Sequence, residues 1–249
     1  MKKLVFILAP VIFLFACDVD SNRDCIRGRG KTETRDLRIT DLERITIGEN
    51  IRLEISYSEE ESLEAVGGEH HLDQLEIIQN EKDYEFKISS LCPTGFSEAP
   101  IVLKLKSSTL NSVRNSSQFQ VVSTSILKYP DLSLISEDSN NSDALSLGNF
   151  HIEVDNTRVN IVGNGISDFV MSGSTELLNF GTYSGSGTIL ARDLEADVIR
   201  VFHRSFRDAV VTPIQRLEGE LRSTGNLIST KKPPLVEVEE FYEGKLIFE

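Results

Sequence analysis

Short apolar runs separated by small polar clusters recur through residues 101–230, and this recurrence restricts the possible folds more than any other feature. The interval from Asn164 to Gly185 equals the interval from His203 to Thr224. A strand of five or six residues plus a tight turn needs about 8 to 12 residues, so two such units give a repeat of about 20, the length of both intervals. Each unit is too small to bury its apolar face alone, so the units must pack on one another.

The composition of the turns agrees with this interpretation. Tight turns often need a positive φ angle, which Gly and Asn adopt at little cost. The predicted structural turns contain Gly163, Gly165, Gly173, Gly185, Gly187 and Gly225. The spacing therefore predicts an all-β fold. It fits either a solenoid of stacked β-coils or a β-sandwich with regular hairpins, because sandwiches share this pattern.

The regions on either side of the repeats carry weaker signals. In the N-terminal part, apolar and polar residues alternate with a period of two, as at Ile45 and Ile47. This alternation is typical of strands with one buried face. Residues 69–74 are the best place for one short helical turn. After two consecutive prolines, residues 236–249 are predicted to form a C-terminal β-hairpin that caps the stack.

The N-terminal segment, up to Cys17, indicates export. Lys2 and Lys3 precede an apolar run from Leu4 to Ala16, which is too short to span a bilayer but typical of a secretory signal. The run ends at Ala16-Cys17, which resembles a bacterial lipobox. Residues 1–16 are therefore predicted to be a lipoprotein signal peptide. Cys17 is the predicted lipidation site, where acyl chains would hold the protein to a membrane. An ordinary cleavable signal peptide is the alternative.

Acidic residues directly after Cys17 bear on the location. Asp18 and Asp20 resemble the surface-export signal of Bacteroidetes lipoproteins, whereas in enterobacteria Asp18 would indicate retention at the inner membrane. We expect an outer-membrane lipoprotein that faces outward, with a periplasm-facing location as the alternative. Residues 17–36 are polar and charged, and they are predicted to form a tether.

The two remaining cysteines predict a disulfide. Because an exported protein enters an oxidising compartment, Cys25 and Cys92 are a natural pair. A loop of about 67 residues closed in this way would be stabilised by about 4 kcal/mol in the chain-entropy model. Two unpaired thiols are the alternative. Neither cysteine has a His or a second Cys at ligand spacing, so no metal site is predicted.

The charge of the chain restricts its partners. The formal net charge is −13, and loss of Lys2 and Lys3 with the leader would make it about −15. Such a surface repels phosphate backbones, so nucleic acid is not an expected partner. Cationic ligands or divalent ions are compatible with it, although solubility alone would also explain the charge.

Motifs for catalysis are absent, and no catalytic residue, metal or cofactor is predicted. The chain has no Walker loop, and His70 and His71 are adjacent rather than spaced as ligands on a helix. One charged segment would suit a polysaccharide-cleaving enzyme if its side chains met in one groove. Its residues are Asp193, Glu195, Asp197, Arg200, Arg204 and Arg207. A solvated charged face is the alternative.

The order of features resembles a known family. A Cys-x-x-Gly-x-Gly segment (Cys25, Gly28, Gly30) follows the lipobox, and then come strands, Ser-Gly-Ser or Gly-Asn-Gly turns, and a late Pro-Pro. This layout is similar to that of the putative auto-transporter adhesins with a head GIN domain, a Bacteroidetes family of unknown function. The resemblance implies a single-stranded parallel β-helix with GSG-type turns over residues 37–235, and a role in adhesion. At His203 the sequence departs from the expected glycine turn.

Three functional hypotheses follow from the sequence. The first is a non-enzymatic envelope lipoprotein that acts as a surface adhesion or interaction module, with a surface glycan or protein as its ligand. The second is a polysaccharide-binding or polysaccharide-cleaving β-helix protein. The third is a periplasmic envelope scaffold.

Overall fold

The computed structural model describes residues 28–89, 99–137, 145 and 147–249. Within these residues the chain is all-β with almost no helix. The strands are β1 Thr32–Leu37, β2 Arg44–Ile47, β3 Ile51–Tyr57, β4 Ser62–Gly68, β5 Leu75–Asn80, β6 Asp83–Ile88, β7 Ile101–Ser107, β8 Ser112–Asn115, β9 Val121–Ser123, β10 Asp131–Ser136, β11 Phe150–Gly163, β12 Asp168–Thr182, β13 Thr188–His203, β14 Ala209–Leu221, β15 Leu227–Ser229, β16 Leu235–Glu240 and β17 Leu246–Phe248. One short helix, α1 Glu69–Leu72, lies where the sequence predicts a helical turn.

Some of the predictions from the sequence concern residues outside this description. The signal peptide, the lipidation site Cys17 and the cysteine pair Cys25 and Cys92 all lie outside the described residues. They therefore stay predictions.

The long strands of the C-terminal half lie side by side in parallel. Phe150 of β11 pairs with Phe169 of β12, and Leu178 of β12 pairs with Ile199 of β13. β14 continues the series, with β15 and β16 in parallel beside it. The repeat length seen in the sequence is thus the distance along the chain from a residue to its partner on the next strand.

Glycine turns stack on one another along this series. The backbone N–H groups of Ser186 and Gly187 donate to the carbonyl oxygen of Gly165, each at 2.9 Å. Gly185 has a φ of +86°, and a Cβ atom there would lie 2.1 Å from the same carbonyl oxygen. No larger residue fits this position, because the φ angle and the close approach both require glycine.

The other predicted turn glycines occupy different positions. Gly163 is the last residue of β11, and Gly187 directly precedes β13. Gly225 lies shortly before β15, and its N–H donates to the carbonyl of Ser205. Gly173, predicted in a turn, lies inside β12 with a φ of +98°. A positive φ within a strand requires glycine just as a tight turn does, so composition does not distinguish the two positions.

The N-terminal part adds antiparallel pairs, so the sheet is mixed. β2 and β3 pair in parallel with β8 and β9, whereas β1 pairs antiparallel with β4 and β5 antiparallel with β6. In the described part of the chain, seventeen strands form one curled sheet. β1 begins at Thr32, so residues 32–36 belong to the sheet, and their prediction as tether is wrong. The apolar signal there is weak because Leu37 is the only strongly apolar residue of β1.

The C-terminal segment is not the hairpin that the sequence predicts. β16 pairs in parallel with β14, and β17 pairs in parallel with β15, so the two strands do not pair with each other. Between them, the N–H of Gly244 donates to the carbonyl of Ser223 at 2.9 Å, which repeats the stacking of the earlier turns. A hairpin turn and such a corner use the same small residues, so composition does not distinguish them.

Alternate residues of each strand point into a continuous apolar core. One buried row crosses five strands and contains Leu132, Val159, Leu178, Ile199 and Leu217. The rings of Phe150 and Phe169 stack with their centroids 4.8 Å apart. Burial of a side chain of this size contributes roughly 1.5–3 kcal/mol, so each layer stabilises the next. The intervening residues of the same strands point outward.

Candidate ligand groove on the outer face

Outward side chains of five parallel strands line an open groove of about 670 Å³. The strands are β11, β12, β13, β14 and β16, whose registers place equivalent outward residues beside one another. One line of residues, the polar row, contains Asn160, Asn179, Arg200, Glu218 and Glu237. A second line, the mixed row, contains Val162, Gly181, Phe202, Glu220 and Glu239. Both rows run across the strands.

The polar row is held by contacts between neighbouring strands. The Nδ2 of Asn179 donates to the Oδ1 of Asn160 at 2.7 Å. The Nε of Arg200 donates to Glu218 at 2.6 Å, and Arg216 contacts both Glu218 and Glu237. Exposed ion pairs contribute little to stability, so their main effect here is to fix the side-chain positions before any ligand arrives.

Aromatic rings form one rim of the groove. Tyr183 is 46% exposed, and its ring lies over Gly181, where a Cβ atom would be 2.7 Å from the nearest ring carbon. The ring centroids of Tyr183 and Phe202 are 5.1 Å apart. The Arg222 guanidinium lies 5.8 Å from the Phe202 centroid and 4.1 Å from that of Phe241. We call these four side chains, Tyr183, Phe202, Arg222 and Phe241, the aromatic rim.

The groove is acidic at the end formed by β14 and β16. Glu220 bonds to Arg222 at 2.5 Å, whereas Glu239 has no ion-pair partner within the described ranges. Glu218 and Glu237 are compensated by Arg200 and Arg216. The carboxylates therefore outnumber the guanidinium groups around this end, as expected for a chain with a net charge of −13.

A second groove, of about 550 Å³, contains part of the charged segment that the sequence singled out. Asp193 and Glu195 line it together with Arg192 and Lys231. Lys231 donates to Glu195 at 2.5 Å, and Arg192 donates to Glu249. These contacts neutralise charge pairwise and leave a solvated, ion-paired surface.

The arginines of that segment lie elsewhere. Arg200 belongs to the polar row, and Arg207 binds Asp168 through two hydrogen bonds of 2.5 and 3.0 Å. Asp197 is exposed on β13 and contributes to neither groove. The structure therefore does not bring the predicted carboxylates and arginines into one site.

The histidines singled out by the sequence do not form a ligand set. His70 and His71 lie in α1, where the Nδ1 of His70 contacts the carbonyl of Gly28 at 3.1 Å. Burial, followed by the nearby Arg29 charge, lowers the pKa of His71. Over the part of the chain that the structure describes, no group of three His, Cys, Asp or Glu side chains is placed to hold a metal ion.

His203 is the last residue of β13 and is fully buried. Its Nε2 donates to the carbonyl of Arg207 at 2.8 Å, and its Nδ1 lies 3.1 Å from the Oγ1 of Thr182. The same hydroxyl oxygen accepts from the N–H of Arg204 at 3.3 Å, so it can donate its own proton to Nδ1. This arrangement fits the neutral imidazole, and burial lowers the pKa of His203.

Comparisons with known proteins identify the family. The described structure is that of an all-β chain with an open groove on the outer face of a curled sheet. The chain belongs to the family described as putative auto-transporter adhesin, head GIN domain, whose family model matches residues 41–233. The resemblance seen in the sequence is thereby confirmed. A search of curated proteins gives no match.

Solved structures share the fold. A putative adhesin from Bacteroides fragilis is 16% identical, with a TM-score of 0.77 over 88% of this chain and 97% of that one. A putative adhesin from Parabacteroides merdae is 17% identical, with a TM-score of 0.60 over 89% and 98%. A putative lipid binding protein from Parabacteroides distasonis is 15% identical, with a TM-score of 0.59 over 88% and 98%. At such identities the likeness extends to the fold alone.

No helix in the described ranges combines the length and the apolar character needed to cross a bilayer.

Proposed function

We propose that this chain is a non-enzymatic, adhesin-like binding module of the cell envelope, and that the groove on the outer face holds its ligand. One observation carries the proposal. The polar row crosses five strands, and the paired rings of Tyr183 and Phe202 lie beside it in the same groove. Tyr183 is exposed and Phe202 is half-buried beside it. Aromatic side chains fixed by their neighbours are frequent anchors of recognition sites, because they bind at little cost in conformational entropy.

A purely binding role is favoured over polysaccharide cleavage. Cleavage would need carboxylates and a basic side chain converging on one bond, and Glu195 and Arg207 are instead committed to Lys231 and Asp168. Membership of the adhesin-like family supports the same choice.

We also propose that the repeats form a parallel β-helix. The parallel pairs that join each long strand to the next one along the chain support this arrangement. The antiparallel strands β1, β4 and β5 would close its N-terminal end, and β16 and β17 would form its last layer. A solenoid of this kind presents one continuous outward face, which suits an extended ligand.

We place the domain outside the cell, on a lipid anchor at Cys17 of the outer membrane, with a disulfide between Cys25 and Cys92. The leader sequence and the adhesin-like family support this location. External protease on intact cells, with mass spectrometry of the N-terminus, tests it. Lipid on Cys17 together with cleavage is the expected result. Full protection of the domain would favour the periplasmic scaffold instead.

Adhesion by cells tests the binding role. A deletion strain is complemented with the full-length chain, with the double variant Y183A/F202A, or with F206A as a matched aromatic control, since Phe206 is 64% exposed and outside the groove. Attachment is measured on mucin-coated and fibronectin-coated surfaces. The wild type and F206A should attach, and the double variant should lose most of the attachment. Equal attachment by all three, or none by the wild type, would contradict the proposal.

A further inference from the structure

The side chains of the groove also restrict the chemistry of its ligand. The inference below rests on the proposed function. We propose that the groove binds a neutral oligosaccharide whose chain runs across the strands, along the polar and mixed rows.

The spacing of the rows is the first argument. Equivalent side chains of neighbouring strands are about 4.8 Å apart, which is close to the length of one pyranose unit in an extended chain. Because both rows repeat at every strand, successive sugar units would meet equivalent positions, such as Asn160, Asn179 and Arg200. The groove crosses five strands, so it is long enough for a short oligosaccharide and not only for one sugar.

The aromatic rim supplies the second argument. Pyranose rings have one face lined by C–H bonds, and such faces pack on aromatic rings. Tyr183 and Phe202 border the groove and stack on each other, with 26° between their planes, and the Arg222 guanidinium lies over Phe202. The exposed part of the Tyr183 ring would therefore accept one sugar unit, and Phe202 would hold that ring in place.

The amides of the polar row supply the third argument. The Asn160 Oδ1 is occupied by Asn179, and within the described ranges the Asn160 Nδ2 and the Asn179 Oδ1 have no protein partner. One free donor and one free acceptor therefore face the groove from adjacent strands. This pair matches the hydroxyl groups of a sugar, each of which can both donate and accept a hydrogen bond.

Charge selects a neutral sugar. Glu220 and Glu239 border the mixed row, and Glu239 has no ion-pair partner in the described part of the chain. The carboxylate of Glu239 accepts hydrogen bonds from hydroxyl groups but repels uronates and sulfated sugars, whereas the charge of Glu220 is compensated by Arg222. Arg200 does not reverse this preference, because Glu218 already binds its Nε.

A peptide fits the groove less well. Peptides commonly bind by adding a strand to a free sheet edge. In this groove the backbone of β12, β13 and β14 already pairs on both sides, so a peptide could add a strand only at the outer edge of β16 and not along the rows. Recognition must therefore come from side chains, as it does for sugars.

Calorimetry on the full-length protein in detergent tests the inference. The probes are cellotetraose, chitotetraose, mannotetraose and, as an anionic counterpart, tetragalacturonate. We expect at least one neutral probe to bind, F202A and Y183A each to weaken that binding roughly tenfold or more, and F206A to leave it unchanged. Circular dichroism of each variant verifies the fold. Binding of tetragalacturonate alone, or of no probe, would overturn the inference.

A second experiment separates this inference from the proposed function. The mucin-coated surface is treated with periodate, which cleaves the vicinal diols of sugars, before cells are added. Loss of attachment after treatment is expected. Attachment that survives periodate but still depends on Tyr183 and Phe202 would refute the sugar ligand while supporting the binding role of the groove. Attachment that does not change when both side chains are replaced would refute the binding role itself.

Discussion

The guanidinium carbon of Arg222 lies 4.1 Å from the centroid of the Phe241 ring. Arg222 follows β14 and Phe241 follows β16, so this contact joins the last two strands of the groove at the aromatic rim. The same guanidinium lies over Phe202 and binds Glu220. Arg222 thus fixes the positions of both the Phe202 ring and the Glu220 carboxylate, which line the groove.

Replacement of Arg222 by alanine should loosen this end of the sheet. A cation over an exposed aromatic ring contributes about 0.5–1 kcal/mol, so R222A should lower the free energy of unfolding by about that amount. Urea-induced unfolding measures it. R204A is the control, because Arg204 is an exposed arginine of the same region outside the rim. An equal loss in both variants would mean that the ring contact contributes nothing.

Gly173 should tolerate no side chain. Its φ is +98°, and a Cβ atom would lie 2.0 Å from the carbonyl oxygen of Val154 on β11. Backbone strain of this kind costs about 1–3 kcal/mol, and relief of the collision would displace β11 as well. G173A should therefore lower the midpoint of thermal unfolding.

The matched control for this prediction is G28A. Gly28 also has a positive φ, of +65°, but no atom lies within 4 Å of its Cβ position. Alanine there should cost only the conformational strain, about 1 kcal/mol. If G173A were no more destabilising than G28A, the close approach of β11 and β12 would be refuted.

His203 should make stability depend on pH. Burial holds the pKa of His203 below its unfolded value of 6.5, so the unfolded chain binds a proton more readily than the folded chain. The free energy of unfolding should therefore be unaffected by this group above about pH 6.5, and should fall as pH decreases below it. Urea unfolding from pH 8 to pH 5 measures the slope.

Two substitutions isolate that effect. In H203Q the amide can still bond to Arg207 and Thr182 but does not titrate, so its slope below pH 6.5 should be smaller than that of the wild type. H151Q, which changes an exposed histidine of β11, is the matched control. A wild-type slope in H203Q would assign the pH dependence to other groups.

Asp168 and Arg207 should stabilise the chain more than an ordinary surface pair. Arg207 makes two hydrogen bonds to the carboxylate, and the Asp168 side chain is only 20% exposed. Because Arg207 itself is partly solvated, we expect D168N to cost about 1 kcal/mol. D131N, which breaks the exposed pair of Asp131 with Arg158, should cost less than about 0.5 kcal/mol. Equal losses in urea unfolding would contradict the difference.

The sequence predicts the series of strands better than the groove. Strand spacing along the chain is a local property, because a strand and its turn occupy a fixed length of chain, and so the interval from Asn164 to Gly185 predicts the distance between paired strands. The groove depends on register between distant strands. Asn160 lies on β11 and Glu237 on β16, with three long strands between them, and no local pattern indicates that they share one row.

The errors have related causes. β1 lacks an apolar alternation because it pairs at the margin of the sheet, where few side chains are buried. The corner at Gly244 has the composition of a hairpin, so the parallel pairing of β17 was not expected. Asp193, Glu195 and Arg207 are near in sequence, but Asp193 and Glu195 line the second groove whereas Arg207 follows β13 and binds Asp168.

Obstruction of the groove is the most direct test of its role. Asn179 is the second of the five residues of the polar row and points outward, so N179W should fill the groove without a change in the core. D197W adds the same side chain to an exposed position outside the groove. Attachment of cells carrying each full-length variant to mucin-coated surfaces is compared. N179W should abolish attachment, and D197W should leave it unchanged. Full attachment by N179W would contradict the claim that the groove is the binding site.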